Sequence, residues 1–229
     1  MALALKTLND WSRQGEWFDG ERYKKQIHVI GVGATGSWLV LQLAKMGAQQ
    51  IHIWDFDIVE EHNVANQIYS MEDCGKFKVD ALETIILEQT GAHVIKHNEA
   101  YDNTKKGQLS GVVFNLVDTM AMRKEFFEGS FRFNPRISLI VETRMSIDCG
   151  RVYAFNPMDA KSCSHYATTL YGDDEAEVSF CGSSLSIVTS ASNIASYAVW
   201  CLIKDYKHLT QQNELIIDYL AGSTYPTTW

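Results

Sequence analysis

Ile27-His28-Val29-Ile30-Gly31-Val32-Gly33-Ala34-Thr35-Gly36 is the stretch that decides the architecture of this chain. Four residues with β propensity run into a GxGxxG turn. Ser37-Trp38-Leu39-Val40-Leu41-Gln42-Leu43-Ala44 then follows as an apolar-rich helix that stops at Gly47. A strand that passes into a helix through such a turn leaves backbone N–H groups and the positive end of the helix facing outward, where phosphate oxygens bind. Gly31, Gly33, Ala34, Thr35 and Gly36 are therefore candidate cofactor-binding positions, with Gly33 allowing a ligand close to the backbone. A glycine turn in this place also serves packing alone, so the flanking sequence has to decide.

Downstream, Ile51-His52-Ile53-Trp54 reads as a second strand ending in Asp55-Phe56-Asp57. Asp55 lies 19 residues past Gly36, where an acidic side chain accepts hydrogen bonds from ribose hydroxyls. To this point a nicotinamide dehydrogenase and an adenylating enzyme account for the residues equally well. Lys78 to Glu88 is a second helix, His93 to Lys96 a third strand and Gly111 to Val117 a fourth, with a further helix after Thr119. This alternation predicts an α/β fold with a Rossmann-like, doubly wound, mostly parallel sheet. Past Pro135, Ile137 to Thr143 and Arg151 to Phe155 are too close for a helical crossover and predict an antiparallel C-terminal extension.

Residues 1–26 read as an amphipathic lead-in helix, 27–206 as the nucleotide-binding domain and 207–229 as a tail. Within that plan, Lys161 to Ser179 is expected as a polar loop with an acidic knot at Asp173-Asp174-Glu175. Ser184 to Lys204 is expected as a long apolar helix, and Gly222 to Trp229 has no regular pattern. Hydrophobic residues make up 46% of the 229 and charged ones 21%, a globular composition. The net charge of −8 with scattered lysines and arginines excludes a nucleic-acid footprint. Five cysteines without a CxxC point to the reducing cytoplasm, and no apolar run predicts export or a membrane span.

Asp55-Phe56-Asp57-Ile58-Val59-Glu60-Glu61-His62-Asn63-Val64-Ala65-Asn66-Gln67 separates the two rivals. It resembles the D-x-D-x-V-x-x-x-N-x-x-R-Q signature of the E1-like activating enzymes of the ThiF/MoeB superfamily. Further matches come in order: Gly75-Lys76-Phe77-Lys78-Val79-Asp80 resembles the family's G-x-x-K-V/A segment, and Asn115 to Arg123 its D-x-T-D-N-x-x-x-R. Cys149 to Pro157 is similar to its G-x-V-x-V-F-x-P turn and strand, and Cys181-Gly182 occupies the place of its C-terminal cysteine. The ordered set spans about residues 26 to 206.

The resemblance implies an ATP-dependent adenylyltransferase acting on the C-terminal carboxylate of a small ubiquitin-like or sulfur-carrier protein or peptide, and a homodimer. It assigns ribose to Asp55, phosphates to Asn63 and Lys78, Mg²⁺ to Asp118, and places Asp57 and Gln67 at the nucleotide. Attack on an α-phosphate gathers negative charge, and these cations and donors would stabilise it. His62 stays out of the mechanism, because a carboxylate nucleophile is already deprotonated. Cys181 and Cys163 are candidate nucleophiles for a thioester, against the alternative of inert buried cysteines. Structural zinc is not expected, since Cys163, His165 and Cys181 lack a fourth ligand.

The chain departs from the pattern at Asn66, where the family has an arginine, and at Asn115 and Thr119, which replace an aspartate and an asparagine. The family's R-Y-x-x-Q lead-in, whose arginine enters the partner subunit's site, is matched only loosely by Arg22 to Gln26, leaving Arg13 or Arg22 as substitutes. The loss of the arginine at Asn66 and of the family's paired CxxC zinc motifs frames a second reading, a nucleotide-binding module or regulatory pseudoenzyme. A nicotinamide oxidoreductase, resting on GxGxxG and Asp55 alone, is the third.

Overall fold

The computed structural model describes residues 10–172 and 186–229. One eight-stranded sheet in the order β3-β2-β1-β4-β5-β6-β7-β8 organises them. Its first half is β1 (Ile27–Ile30), β2 (Ile51–Trp54), β3 (Ile95–His97), β4 (Gly111–Asn115) and the first part of β5 (Ile137–Met145), all parallel. β6 (Cys149–Phe155), β7 (Glu214–Asp218) and β8 (Ser223–Thr227) continue it antiparallel. The fold is thus α/β and Rossmann-like, with the antiparallel extension that the spacing after Pro135 predicts.

Both faces of the central strands β1, β2, β4, β5 and β6 are covered, which is why they read as nearly unbroken apolar runs. Ile27, Val29, Ile51, Ile53, Val112 and Phe114 point into one core beneath α1 (Ala34–Lys45), α2 (Lys78–Thr90) and α5 (Val188–Tyr206). Ile30, Trp54, Val113, Ile140, Tyr153 and Phe155 alternate to the other side, against α3 (Met120–Phe126) and α4 (Ala160–Ala167). Each such side chain contributes about 1.5–3 kcal/mol by leaving water. β4 and β5 slip by one residue between Gly111 and Val112, so Ile137 and Leu139 fall on opposite cores despite their even spacing.

Three sequence expectations are corrected. The polar run from Lys161 is not a loop at its start but α4, because Asp159 accepts from the backbone amides of Lys161 and Ser162, and Cys163 and Tyr166 share a buried face. Its acidic knot lies outside the described residues. The tail after Gly222 is not irregular: Gly222 takes φ +63° in the turn, and Ser223–Thr227 pairs with β7, with Pro226 tolerated because β8 is the sheet edge. Residues 10–26 make single turns and not a helix, and at Gly20 the chain comes too close to the backbone of Gly47 for a Cβ to fit.

A row of histidines crosses the first core's opposite face. His28 is fully buried, stacks on His52 at 4.5 Å and takes a hydrogen bond at Nδ1 from Trp54 Nε1 at 3.4 Å. Burial, then the neighbouring His52, His97 and Arg136, lower its pKa from 6.5 to about 3. The folded group is therefore neutral where the unfolded one is protonated, so its contribution is full above pH 6.5 and is lost as pH falls toward 3. Urea unfolding at pH 7 and at pH 4.5 is expected to show His28→Gln losing about 2–3 kcal/mol less than the wild type over that interval. Parallel losses in the two proteins would disprove the linkage.

Candidate nucleotide site

The parallel strands end together, and the loops beyond them wall a cavity of about 570 Å³. Its polar side is the glycine turn. Gly31 takes φ +91°, and a Cβ there would meet the Leu116 carbonyl oxygen at 2.8 Å. Gly36 is buried with its Cα against the Gly31 carbonyl, so it holds α1 to the strand and does not line the cavity. Gly33 has only Gln67 Nε2 near its open side, at 4.0 Å, which leaves room for a ligand.

Helix α1 begins without a side-chain cap. The amides of Ala34 and Thr35, both on the cavity wall, are among the N–H groups that a helix start cannot satisfy internally. Two side chains hold the turn around them: the Asp55 carboxylate accepts from Val32 N at 2.9 Å, and from Asp57 N at 2.9 Å on its own loop, while Tyr69 donates to the Val32 carbonyl at 2.8 Å. Burial raises the Asp55 pKa, against the lowering by the Asp57 and Val32 amides and by Lys78.

Lys78 opens α2 with its side chain 8% exposed, and its ammonium sits 2.8 Å from the half-exposed Asp57 carboxylate. Asn63 is buried, and its Oδ1 accepts from the Glu60 amide at 3.0 Å, which leaves the Nδ2 group as its remaining donor. Gln67 lies beside it with a buried Oε1 that has no hydrogen-bond partner. Asp118 is exposed on the facing wall, just past β4. All of these line the one cavity, together with Gly31, Gly33, Asp55 and Asp57. His62 lines it too, exposed and 3.2 Å from Glu60.

Asn66, where the sequence pattern calls for arginine, is fixed to the chain: its Nδ2 donates to Ser186 Oγ at 2.7 Å and its carbonyl accepts from Trp38 Nε1 at 3.1 Å. Cys163 stands apart from the cavity. It is buried on α4 with its thiol on the Pro157 carbonyl at 3.1 Å, and burial pushes its pKa up. His165 stacks on Trp229 at 4.2 Å, and Cys181 lies outside the described residues. Among the described residues, no cluster of three or more His, Cys, Asp or Glu side chains is arranged to hold a metal ion, and no helix is long and apolar enough to cross a membrane.

The apolar end of the cavity went unforeseen. Trp54, Tyr101 and Phe126 form it, with ring centroids 5.6 Å apart for Trp54 and Tyr101 and 5.0 Å for Tyr101 and Phe126. The rule that ligands gather past the C-terminal strand ends could have pointed to Tyr101, four residues beyond β3. At the cavity floor, which Arg123 itself lines, Glu142 accepts through Oε1 from Arg123 at 2.9 Å and Arg144 at 2.6 Å. The signal for this pair was two opposite charges, two residues apart, in the otherwise apolar Ile137–Met145 run.

The ThiF family model matches residues 20–221. Over 72 residues the chain is 36% identical to the probable adenylyltransferase/sulfurtransferase MoeZ of Mycobacterium tuberculosis, a stretch covering 30% of this chain and 18% of that protein. It is 24% identical over 133 residues to the uncharacterized protein y4oA of Sinorhizobium fredii, covering 57% of this chain and 21% of that one. The chain therefore spans about a fifth of the length of these curated relatives. Among solved structures, that of PaaA aligns with a TM-score of 0.72 at 18% identity over 95% of this chain and 72% of that one. The structure of Escherichia coli MccB with ATP aligns with a TM-score of 0.67 at 14% identity, over 90% of this chain and 64% of that one, a likeness of fold.

Proposed function

The chain belongs to the ThiF family, and from that premise we propose that it is an ATP-dependent adenylyltransferase that activates the C-terminal carboxylate of a peptide or small carrier protein. The observation that supports this most is the convergence of the uncapped start of α1, Lys78 and Asp118 on one cavity. A carboxylate oxygen attacks the α-phosphorus of ATP, the bond to the pyrophosphate oxygen breaks, and an acyl-adenylate forms as pyrophosphate leaves. Positive groups fixed beforehand along that path act without reorganising when the charge develops.

In this reading Asp55 accepts from the ribose hydroxyls and Trp54, Tyr101 and Phe126 enclose the base. The amides of Ala34 and Thr35, the Nδ2 group of Asn63 and the ammonium of Lys78 hold phosphate oxygens, with Asp57 and Gln67 beside them. Mg²⁺, when bound, would offset charge on the departing pyrophosphate. Asp118 fits it, because this ion is usually held by one or two carboxylates plus the substrate phosphates and needs no ready-made protein cage. Two relatives support the substrate class by analogy: MoeZ is a probable adenylyltransferase, and one MccB structure holds AMPCPP with MccA.

The reading includes a homodimer. Arg13 and Arg22 belong to the segment that packs on the C-terminal end of α1, through Trp11 and Gln14 on Lys45 and Met46, at the far end from the glycine turn. Neither lines the cavity of its own chain, and Arg123, which does, is engaged by Glu142, so in this reading an arginine for the phosphates is supplied by a second copy. Asn66, already committed to Ser186, supports the rival reading of a binding module without turnover.

ATP–pyrophosphate exchange with candidate C-terminal peptides and carrier proteins tests both. Label exchange that depends on the free carboxylate is the result expected. ATP binding by calorimetry without exchange would leave the module, and a preference for NAD over ATP would sink both.

A further inference from the structure

Arg123 reaches from α3 into the sheet, where its guanidinium is buried among oxygens. It donates to Glu142 Oε1 at 2.9 Å, to the Thr143 carbonyl at 2.8 Å and to the Val117 carbonyl. That last carbonyl belongs to the peptide group directly before Asp118. On its other side, Thr119 caps α3 by accepting from the Met122 amide at 3.3 Å. Asp118 is thus anchored through both neighbours while its own carboxylate, among the described residues, accepts no hydrogen bond and stands exposed on the cavity wall.

We propose that Arg123, itself held by Glu142, is a positioning residue for Asp118, fixing the height and direction of that carboxylate and so the grip of the site on the divalent cation that accompanies ATP. The inference rests on the reading of Asp118 as the metal-holding group. A planar fork with several donors can bind a carboxylate and two carbonyls at once, which a lysine's single ammonium cannot do in the same directions. Glu142, fully buried and reached by two guanidiniums, keeps that fork from turning. Groups that orient a metal ligand in this way are typically worth about 10–100-fold in metal affinity.

The test is ATP calorimetry on the full chain, with magnesium and with a chelator, reading the ratio of the two affinities in place of any turnover. Arg123→Lys is expected to lower the magnesium enhancement about tenfold while leaving chelated ATP binding within about twofold of wild type. Asp118→Asn should lower the enhancement as far, and the double variant no further, because both act on one carboxylate. Thr119→Ala, at an exposed position, loosens the opposite anchor and should cost about threefold even where the buried substitution disturbs folding. Full enhancement in Arg123→Lys or Thr119→Ala, or losses that multiply in the double variant, would overturn the proposal. An Asp118→Asn protein that responds to magnesium like wild type would instead sink the metal reading beneath it.

Discussion

Replacing Lys78 by methionine is expected to slow ATP–pyrophosphate exchange by about 10²–10³-fold, the usual cost of removing one preorganised charge from a transition state. The lysine is the first residue of α2, and the helix start aims its buried side chain along the cavity wall to Asp57. Asp57 is half exposed and can be solvated once the ammonium is gone, so the pair itself contributes little to stability, below about 1 kcal/mol. The melting temperature should therefore move by no more than about 2–4 °C while the exchange rate collapses. The loss should fall mainly on kcat, since the ammonium gains most as charge builds on the phosphate oxygens. Exchange within about threefold of wild type would show that Lys78 serves only Asp57.

How much of this site was legible beforehand depended on what kind of physics fixed each residue. The glycine turn, Asp55 and Lys78 were readable because strand, turn and helix start are local, and the family pattern marks the same positions. Gly36 was misjudged in kind: the motif gives one label to glycines that admit a ligand and to those that admit a helix, and only the close approach of Gly36 to the Gly31 carbonyl separates them. The aromatic end was hidden because Trp54 ends β2, Tyr101 follows β3 and Phe126 ends α3, so no spacing in the sequence unites them. The C-terminal hairpin escaped notice for a different reason, since Pro226 and an exposed edge blur the alternation on which strand reading depends.

Buried charge was also hard to read, and it carries the second large effect. Glu142→Gln is expected to lower the unfolding free energy by about 3–5 kcal/mol in urea denaturation, a large part of the 5–15 kcal/mol that a domain has. Glu142 has no exposed surface, and Arg123 and Arg144 share its Oε1 with side chains 8% and 6% exposed. The cluster carries one net positive charge while the carboxylate is present, and without it two guanidiniums face each other in a dry interior. Carbonyl oxygens soften the loss, those of Thr143 and Val117 for Arg123 and that of Thr169 for Arg144, and Arg144 keeps Tyr153 at 4.5 Å from its guanidinium carbon. Arg144→Met leaves the neutral Arg123–Glu142 pair behind, so it should cost clearly less than Glu142→Gln even though it deletes more contacts. That ordering discriminates between charge and packing: if Arg144→Met proves the more damaging, contact loss governs the cluster, and if Glu142→Gln costs under about 1 kcal/mol the carboxylate is not what neutralises it.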